Sequence, residues 1–144
     1  MLRAAIMAAA SRYQDLVCWQ LADESRREVI ALTATGPASR DFKFRDQIRD
    51  SASSACRDIA EGFGRYWPAD FSRFLNFARA SLMETHDGLH DGHLRGYFSS
   101  SDRDRLQHLA ARAGKATTGL IRYLDSCRDK PRGGPKPPRA PRTS

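Results

Sequence analysis

Apolar side chains recur at alternating steps of three and four residues in four separate segments of this 144-residue chain. This spacing places them along one face of an α-helix. The segments cover about 15–33, about 44–61, from about 68 onwards, and about 101–127. None of them shows the two-residue alternation of a β-strand. The sequence therefore predicts an all-α fold, an antiparallel up-down four-helix bundle, because amphipathic helices joined by short turns pack economically in that way.

The two central segments carry the most regular seams. Small residues fill 51–55, so we expect a neighbouring helix to approach closely there. Phe74 and Phe77 are expected to reinforce the third seam. Gly88 and Gly92 are expected to loosen the third helix, since each costs about 1 kcal/mol relative to alanine in a helix interior. The seams consist of Ile48, Ala52, Ala55 and Ile59 in the second segment, and of Phe71, Leu75, Ala78, Leu82, Thr85 and Leu89 in the third.

Residues typical of helix ends separate the segments. Asp15 is expected to cap the first helix or to act as an anion in its first turn. Gly36 and Pro37 are expected to break the chain between the first and second helices. Ser101 and Asp104 have the spacing of a weak capping box, which predicts the start of the fourth helix.

Residues 58–65, DIAEGFGR, combine two glycines with an arginine and raise the question of a phosphate-binding loop. A dinucleotide loop needs a preceding strand and a third glycine three positions after the second. Here a helix precedes, and Trp67 occupies the third position. Gly62 is instead expected to be the left-handed glycine that ends the second helix. Gly64 then gives the turn its freedom before Pro68 opens the third helix.

The basic charge of the chain is concentrated at its end. The formal net charge is +7, and the last fifteen residues hold five basic side chains and no acid, so subtracting these five leaves +2 for residues 1–129. Five prolines and two glycines in the same stretch predict a segment that cannot bury enough apolar surface to fold. It could bind polyanions or act only as a solubilising end. Its basic residues are Lys130, Arg132, Lys136, Arg139 and Arg142.

The predicted organisation is a flexible segment 1–12, a helical domain 13–127 and a disordered basic tail 128–144. The three cysteines are widely spaced and form no CxxC pair, so neither a disulfide framework nor a zinc site is indicated. A reducing cytoplasm fits this cysteine usage best. No apolar run approaches the length of a membrane span, and the N-terminal residues are a poor match to a secretory signal. No cofactor is indicated.

Two charged stripes are the most informative functional feature. The fourth segment carries five basic side chains at steps of three, four, three and seven, and the third segment carries three acids at steps of three and four. The basic stripe could lie along a phosphate backbone. Alternatively, and as the preferred interpretation, it pairs with the acidic stripe within one subunit or between neighbouring subunits. The basic residues are Arg105, His108, Arg112, Lys115 and Arg122; the acidic ones are Glu84, Asp87 and Asp91.

Arg65 stands beside Tyr66 and Trp67, two aromatic side chains that could stack on bases. A hydrophobic staple or a subunit contact is the preferred interpretation, because the pair directly precedes a helix. Glu61 is expected to have a structural role as a hydrogen-bonding or ion-pairing residue.

Metal binding and catalysis are the two kinds of chemistry that this sequence could indicate. His86, His90 and His93 lie at steps of four and three, where imidazoles can bind a metal such as zinc or nickel. No HExxH arrangement accompanies them, so solvated histidines are the preferred interpretation. No serine or cysteine has a base at a recognised spacing. The sequence therefore predicts a protein that is not an enzyme.

Several separated motifs resemble one family. The stretches are 13–16 with Trp19, 47–49, 59–65, 71–75 and 78–82. Together they resemble the four-helix bundle protein family, which was first noticed as proteins encoded within intervening sequences of bacterial 23S ribosomal RNA genes and was once labelled S23 ribosomal protein. The likeness covers about residues 13–124. The family motif in this chain comprises Asp58, Ile59, Ala60, Glu61, Gly62 and Arg65, and several separated motifs in the right order make the resemblance specific.

The resemblance implies an all-helical bundle that assembles into a five-membered homo-oligomeric ring. It also implies a relation to the accessory variability protein of diversity-generating retroelements, a basic pentamer that binds nucleic acid and a reverse transcriptase. This chain departs from the family pattern in having Cys56 in place of a common proline, Asp58 in place of asparagine, and Trp67 in place of a polar residue before Pro68. Asp58 adds negative charge where a polyanion could approach, and Trp67 removes a capping oxygen, at a cost of about 1 kcal/mol.

The sequence thus predicts a non-enzymatic, oligomeric bundle that binds RNA or DNA, or that assists a nucleic-acid enzyme such as a reverse transcriptase. The alternative is a protein-interaction scaffold whose charged stripes close a ring. The candidate nucleic-acid-binding residues are Arg65, Arg105, Arg112, Lys115, Arg122, Lys130, Arg132, Lys136, Arg139 and Arg142.

Overall fold

The protein is helical throughout the part of the chain that the computed structural model describes, residues 10–127. A short 3-10 turn, Tyr13–Asp15, precedes five α-helices, and no strand is present in this range. The helices are α1 Val17–Leu32, α2 Gly36–Arg40, α3 Phe42–Phe63, α4 Pro68–Leu94 and α5 Ser100–Ser126. The all-α prediction is confirmed for these residues, with the short helix α2 as an addition inside the predicted break.

The four long helices pack side by side as a helical bundle. The principal contacts join α3 to α4, α4 to α5, α5 to α1 and α1 to α3, so each long helix packs against two neighbours. The predicted seams of the second and third segments are buried throughout, because their spacing keeps each seam on the inner face of its helix. Phe77 is the exception, since its side chain is half exposed rather than part of the seam.

Gly62 is a packing residue and not the helix cap that its position suggested. Helix α3 continues to Phe63 and ends at Gly64 with a right-handed backbone. A Cβ atom at Gly62 would lie 2.8 Å from the Cβ atom of Phe74 and 3.2 Å from the carbonyl oxygen of Phe71. The prediction of a left-handed cap is therefore wrong, whereas the prediction that this stretch ends a helix is confirmed. Glycine is required because α4 begins directly against α3.

The glycines of α4 also serve packing. The helix is continuous through Gly88 and Gly92, so the predicted loosening is wrong. A Cβ atom at Gly92 would overlap the ring of Phe98 and lie 2.8 Å from the ring of Phe44, and one at Gly88 would lie 3.2 Å from Ile48. The missing side chains thus make room for apolar groups of α3 and of the α4–α5 connection.

Side-chain hydroxyls tie the small-residue face of α3 to α4. Ser51 and Thr85 share a hydrogen bond of 2.9 Å, and Ser81 donates to Ser54 over 3.1 Å. Such short side chains reach one another only when two helix backbones lie close together. The close approach expected at residues 51–55 agrees with these contacts.

The helix starts differ from the capping predictions. Asp15 pairs with Arg12, while Leu16 occupies the cap position of α1 without a side-chain hydrogen bond. Helix α5 begins at Ser100, and the hydroxyl of Ser99 accepts a hydrogen bond from the backbone N–H of Asp102. The predicted Ser101–Asp104 capping box is therefore wrong by two residues, because the preceding serines offered equivalent capping groups.

A carboxylate at the start of α3 joins this helix to the connection between α4 and α5. Asp41 accepts hydrogen bonds from the backbone N–H of Phe44 at 3.2 Å and from the Tyr97 hydroxyl at 2.7 Å. Arg95 adds an ion pair at 3.5 Å and also contacts Asp91. The hydrogen bond from Tyr97, followed by that from Phe44, holds the pKa of Asp41 below its usual range. Asp41 therefore fastens α3 to the α4–α5 connection while it is ionised.

Substituting Gly62 by alanine is expected to lower the free energy of unfolding by about 1–3 kcal/mol, because the new methyl group meets backbone and Cβ atoms that cannot move away. Urea denaturation measures this change. Gly119→Ala is the matched control, since its Cβ atom would meet nothing within 4 Å, and it should raise stability by about 0.5–1 kcal/mol. Equal stabilities for Gly62→Ala and the unmutated chain would contradict the close contact.

Substituting Asp41 by asparagine is expected to make the thermal stability of the protein less dependent on pH in the acidic range. Because the folded pKa of Asp41 lies below its unfolded value, its ionised form stabilises the folded state fully above about pH 4. That contribution disappears as the pH falls further, through the folded pKa. Thermal midpoints measured from neutral pH downward should fall less steeply for Asp41→Asn than for the unmutated chain. Asp87→Asn, which removes an exposed carboxylate of α4 and leaves the Asp41 hydrogen bonds in place, is measured in parallel as the matched control.

Candidate nucleic-acid interface

Three basic side chains of α5 are exposed and lack an anionic partner. Arg112, Lys115 and Arg122 all lie on the surface, and no ion pair to any of them is found among residues 10–127. Their spacing of three and seven residues distributes them over roughly 15 Å of helix. Within the described chain, these cations are left available to an external anion.

Arg105, unlike the three cations above, has anionic partners within the bundle. Its guanidinium donates to the Glu28 carboxylate of α1 at 2.7 Å and contacts Asp102 at 3.4 Å. The hydrogen bond to Glu28 raises the pKa of Arg105. The predicted stripe is therefore divided, because Arg105 is neutralised within the bundle and the available cations begin further along α5.

A groove of about 800 Å³ runs between α4 and α5. Its apolar surface comes from Leu82 and Met83 of α4 and from small residues of α5, and no carboxylate is found among its lining residues in the described chain. A Cβ atom at Gly114 or Gly119 would meet nothing within 4 Å, so the α5 side of the groove is open. Its remaining lining residues are Arg79, His86, Ala110, Ala111, Lys115, Thr118 and Arg122.

The rim of the groove is basic. Arg79 on α4 faces Lys115 and Arg122 on α5, and its Nη1 atom donates to Thr118 across the groove at 3.3 Å. Sequence reasoning missed Arg79 as a partner of the α5 cations, since nothing in the chain order links positions so far apart. The small residues of α5 were the available signal, because they recur on the face that borders α4.

The acidic stripe lies on the opposite border of α4. Glu84, Asp87 and Asp91 line a small cleft of about 80 Å³ against α3. Asp91 pairs with Arg95, and no ion pair between the two stripes is present within residues 10–127. The pairing of the stripes within one subunit is therefore wrong, because the two sets of charges face different neighbours.

The junction between α3 and α4 holds the remaining described candidate. Arg65 pairs with Glu61 at 3.2 Å, and its guanidinium lies 4.5 Å from the centre of the Phe74 ring. Glu61 thus has the structural role expected of it. Tyr66 packs edge-on against Trp67. Trp67 occupies the cap position of α4 without a side-chain hydrogen bond, because an indole has no acceptor for a backbone N–H. Arg65 does not line the groove.

Of the two departures near the family motif, Cys56 is buried and Asp58 is partly exposed. Desolvation raises the pKa of Asp58, whose carboxylate accepts a hydrogen bond from Ser54 at 3.4 Å. Burial raises the pKa of Cys56 to about 11 and that of Cys18 to about 12. Since the thiolate is the reactive form, neither thiol is chemically activated in the folded chain.

The remaining predicted groups carry no assembled site in the described chain. His93 shares a hydrogen bond with the carbonyl of Phe98 at 2.9 Å, and within residues 10–127 no three His, Cys, Asp or Glu side chains are placed to hold a metal ion. No described helix combines the length and apolar character that crossing a membrane requires. The tail residues Lys130, Arg132, Lys136, Arg139 and Arg142 lie outside the described residues.

Comparison with known proteins agrees with the motifs. Residues 14–119 match the family described as 23S rRNA-intervening sequence protein. The chain belongs to this family. A search among curated proteins gives no match. The predicted family resemblance is confirmed, and the region matched includes the groove residues from Arg79 to Gly119.

A solved structure has the same fold. It is the 1.70 Å crystal structure of a protein of unknown function from the S23 ribosomal protein family of Bacteroides thetaiotaomicron VPI-5482. The two share 19% sequence identity with a TM-score of 0.66, over 73% of this chain and 98% of the other. At this identity the likeness shows the arrangement of helices and nothing about the role of individual side chains.

The contact between Arg105 and Glu28 is expected to be weakly coupled, because both side chains remain partly exposed. A double-mutant cycle with Arg105→Ala and Glu28→Ala should give a coupling free energy of about 0.2–1 kcal/mol in denaturation experiments. The control cycle combines Arg112→Ala with Glu28→Ala and should be additive. Additive effects in the first cycle would contradict the assignment of Arg105 to α1.

Proposed function

We propose that this member of the 23S rRNA-intervening sequence protein family is a non-enzymatic, oligomeric protein that binds RNA or DNA, alone or as an accessory to a nucleic-acid enzyme. The observation that carries the proposal is the set of exposed cations on α5, Arg112, Lys115 and Arg122, without anionic partners in residues 10–127. Cations of one sign gathered on one surface attract a polyanion, because binding releases the counterions of its phosphates.

The basic side chains form a surface rather than scattered points. Lys115 and Arg122 border the same groove as Arg79, so cations from two helices face one another. A phosphate backbone lying over this surface meets cations along roughly 15 Å of α5.

The proposed assembly is a homo-oligomeric ring of antiparallel up-down bundles, with a pentamer favoured by the family resemblance. Each long helix packs against two neighbours, which supports the bundle topology. Large apolar side chains remain exposed on the single chain, among them Phe42 at 64%, Phe77 at 49% and Leu94 at 70%. Exposed apolar groups of this size support a protein-protein contact.

The second candidate function is a protein-interaction scaffold. The observation that favours it is the separation of charge across α4, with Glu84 and Asp87 on one border and the basic groove on the other. Such a chain can bind its own copies head to tail, with the acidic border of one against the basic border of the next. Salt-dependent assembly without any nucleic-acid binding is the property that distinguishes this function.

A salt titration of RNA and DNA binding tests the proposed function. Removing residues 130–144 and, separately, the double reversal Arg112→Glu with Lys115→Glu should each lower the affinity. The double reversal should also reduce the slope of log affinity against log salt by about 2, or about 1 for each phosphate that is no longer neutralised. Lys43→Glu reverses an exposed cation at the start of α3 and serves as the matched control.

Native mass measurement of every variant separates the two candidate functions. Loss of nucleic-acid binding with an unchanged native mass supports phosphate binding by these side chains. Dissociation of the oligomer by the double reversal, in a protein that shows no binding of RNA or DNA, would refute the proposal in favour of the scaffold.

A further inference from the structure

We propose that the groove between α4 and α5 holds unpaired bases, so that the nucleic acid bound by this chain is single-stranded. The inference rests on the proposed function and specifies its substrate class. It is carried by the combination of an apolar, open groove with a rim of Arg79, Lys115 and Arg122. A single strand presents both of the chemistries that this combination requires, apolar base faces and phosphates.

The floor of the groove fits flat apolar groups. Ala110, Ala111 and Gly114 of α5 have at most one side-chain carbon each, and Leu82 and Met83 supply the opposing surface on α4. Met83 is 67% exposed. A thioether makes favourable contacts with aromatic rings, so Met83 offers a base an adaptable surface that is accessible from solvent.

The charges lie where the phosphates of such a strand would pass. The rim cations come from both helices, with Arg79 on α4 and with Lys115 and Arg122 on α5. Lys115 and Arg122 are separated by about 10 Å along the helix. The planar guanidinium of Arg79 can in addition stack on a base once it gives up its hydrogen bond to Thr118 across the groove. The absence of carboxylates among the lining residues of the described chain leaves no lining group there that repels the backbone.

A duplex can contact the basic rim but cannot cover the apolar floor of the groove. Its bases stay paired and stacked inside the helix, so a duplex brings phosphates and sugars to the rim but leaves the apolar floor in contact with water. A single strand can turn a base into the groove and bury that floor. The difference in affinity between single strand and duplex therefore measures the contribution of the groove.

Filling the groove tests this assignment. Gly114→Leu introduces a side chain into space where the added Cβ atom meets nothing within 4 Å, and leucine is a better helix former than glycine. Ala80→Leu is the matched control, since Ala80 is exposed on α4 and does not line the groove. Gly119→Leu repeats the test at a second position, should the first variant fold poorly.

The probes are a mixed-sequence RNA strand of about 12 nucleotides and the duplex formed with its complement, at one salt concentration. The unmutated protein should bind the single strand more tightly than the duplex. Gly114→Leu should weaken single-strand binding by about tenfold, the scale of one stacked base, and leave duplex binding within about twofold. Ala80→Leu should change neither affinity, and Lys115→Glu should weaken both.

The outcomes separate this inference from the proposed function. If Lys115→Glu weakens binding but Gly114→Leu does not alter the preference for the single strand, the groove does not hold bases although the cations bind phosphate. A fall in native mass with Gly114→Leu would assign the groove to an interface between copies of the chain and overturn the inference. Absence of binding to both probes would overturn the proposed function as well.

Discussion

The close contact between α3 and α4 determines the rest of the structure. Gly62 allows α4 to begin against the backbone of α3, and the Ser51–Thr85 hydrogen bond continues the contact towards the other end of the pair. With this pair fixed, α1 and α5 complete the bundle, each packed against one helix of the pair and against each other. A larger residue at any of these points would separate two helices whose remaining contacts depend on their spacing.

The border between α4 and α5 is built differently, and the difference creates the candidate interface. Here the small residues Gly114 and Gly119 face open space rather than a neighbouring backbone. Glycine therefore has two different effects in this protein. It brings α3 and α4 together, whereas on α5 it leaves a groove with cations at its edges. The acidic stripe of α4 lies on the other border of that helix, so the described lining of the groove contains basic side chains but no carboxylate.

The sequence was sufficient to predict the number of long helices, the buried seams of α3 and α4, and the exposure of Arg112, Lys115 and Arg122, because these properties depend on helical periodicity. It was insufficient to predict the packing roles of Gly62 and Gly92, because these depend on aromatic rings from other segments of the chain. It also failed to predict the pairing of Arg105, since Glu28 lies 77 residues away in the chain. The groove escaped prediction because it is a property of two helices together.

The two buried thiols of the bundle, Cys18 and Cys56, have a consequence for how the protein responds to electrophiles. Both side chains are almost completely shielded from solvent, whereas Cys127 is partly accessible. An alkylating reagent can reach the shielded pair only when helices separate, so the rate of their modification reports the frequency of that separation. The native chain thus carries its own reporter of transient opening, readable by mass spectrometry without any added label.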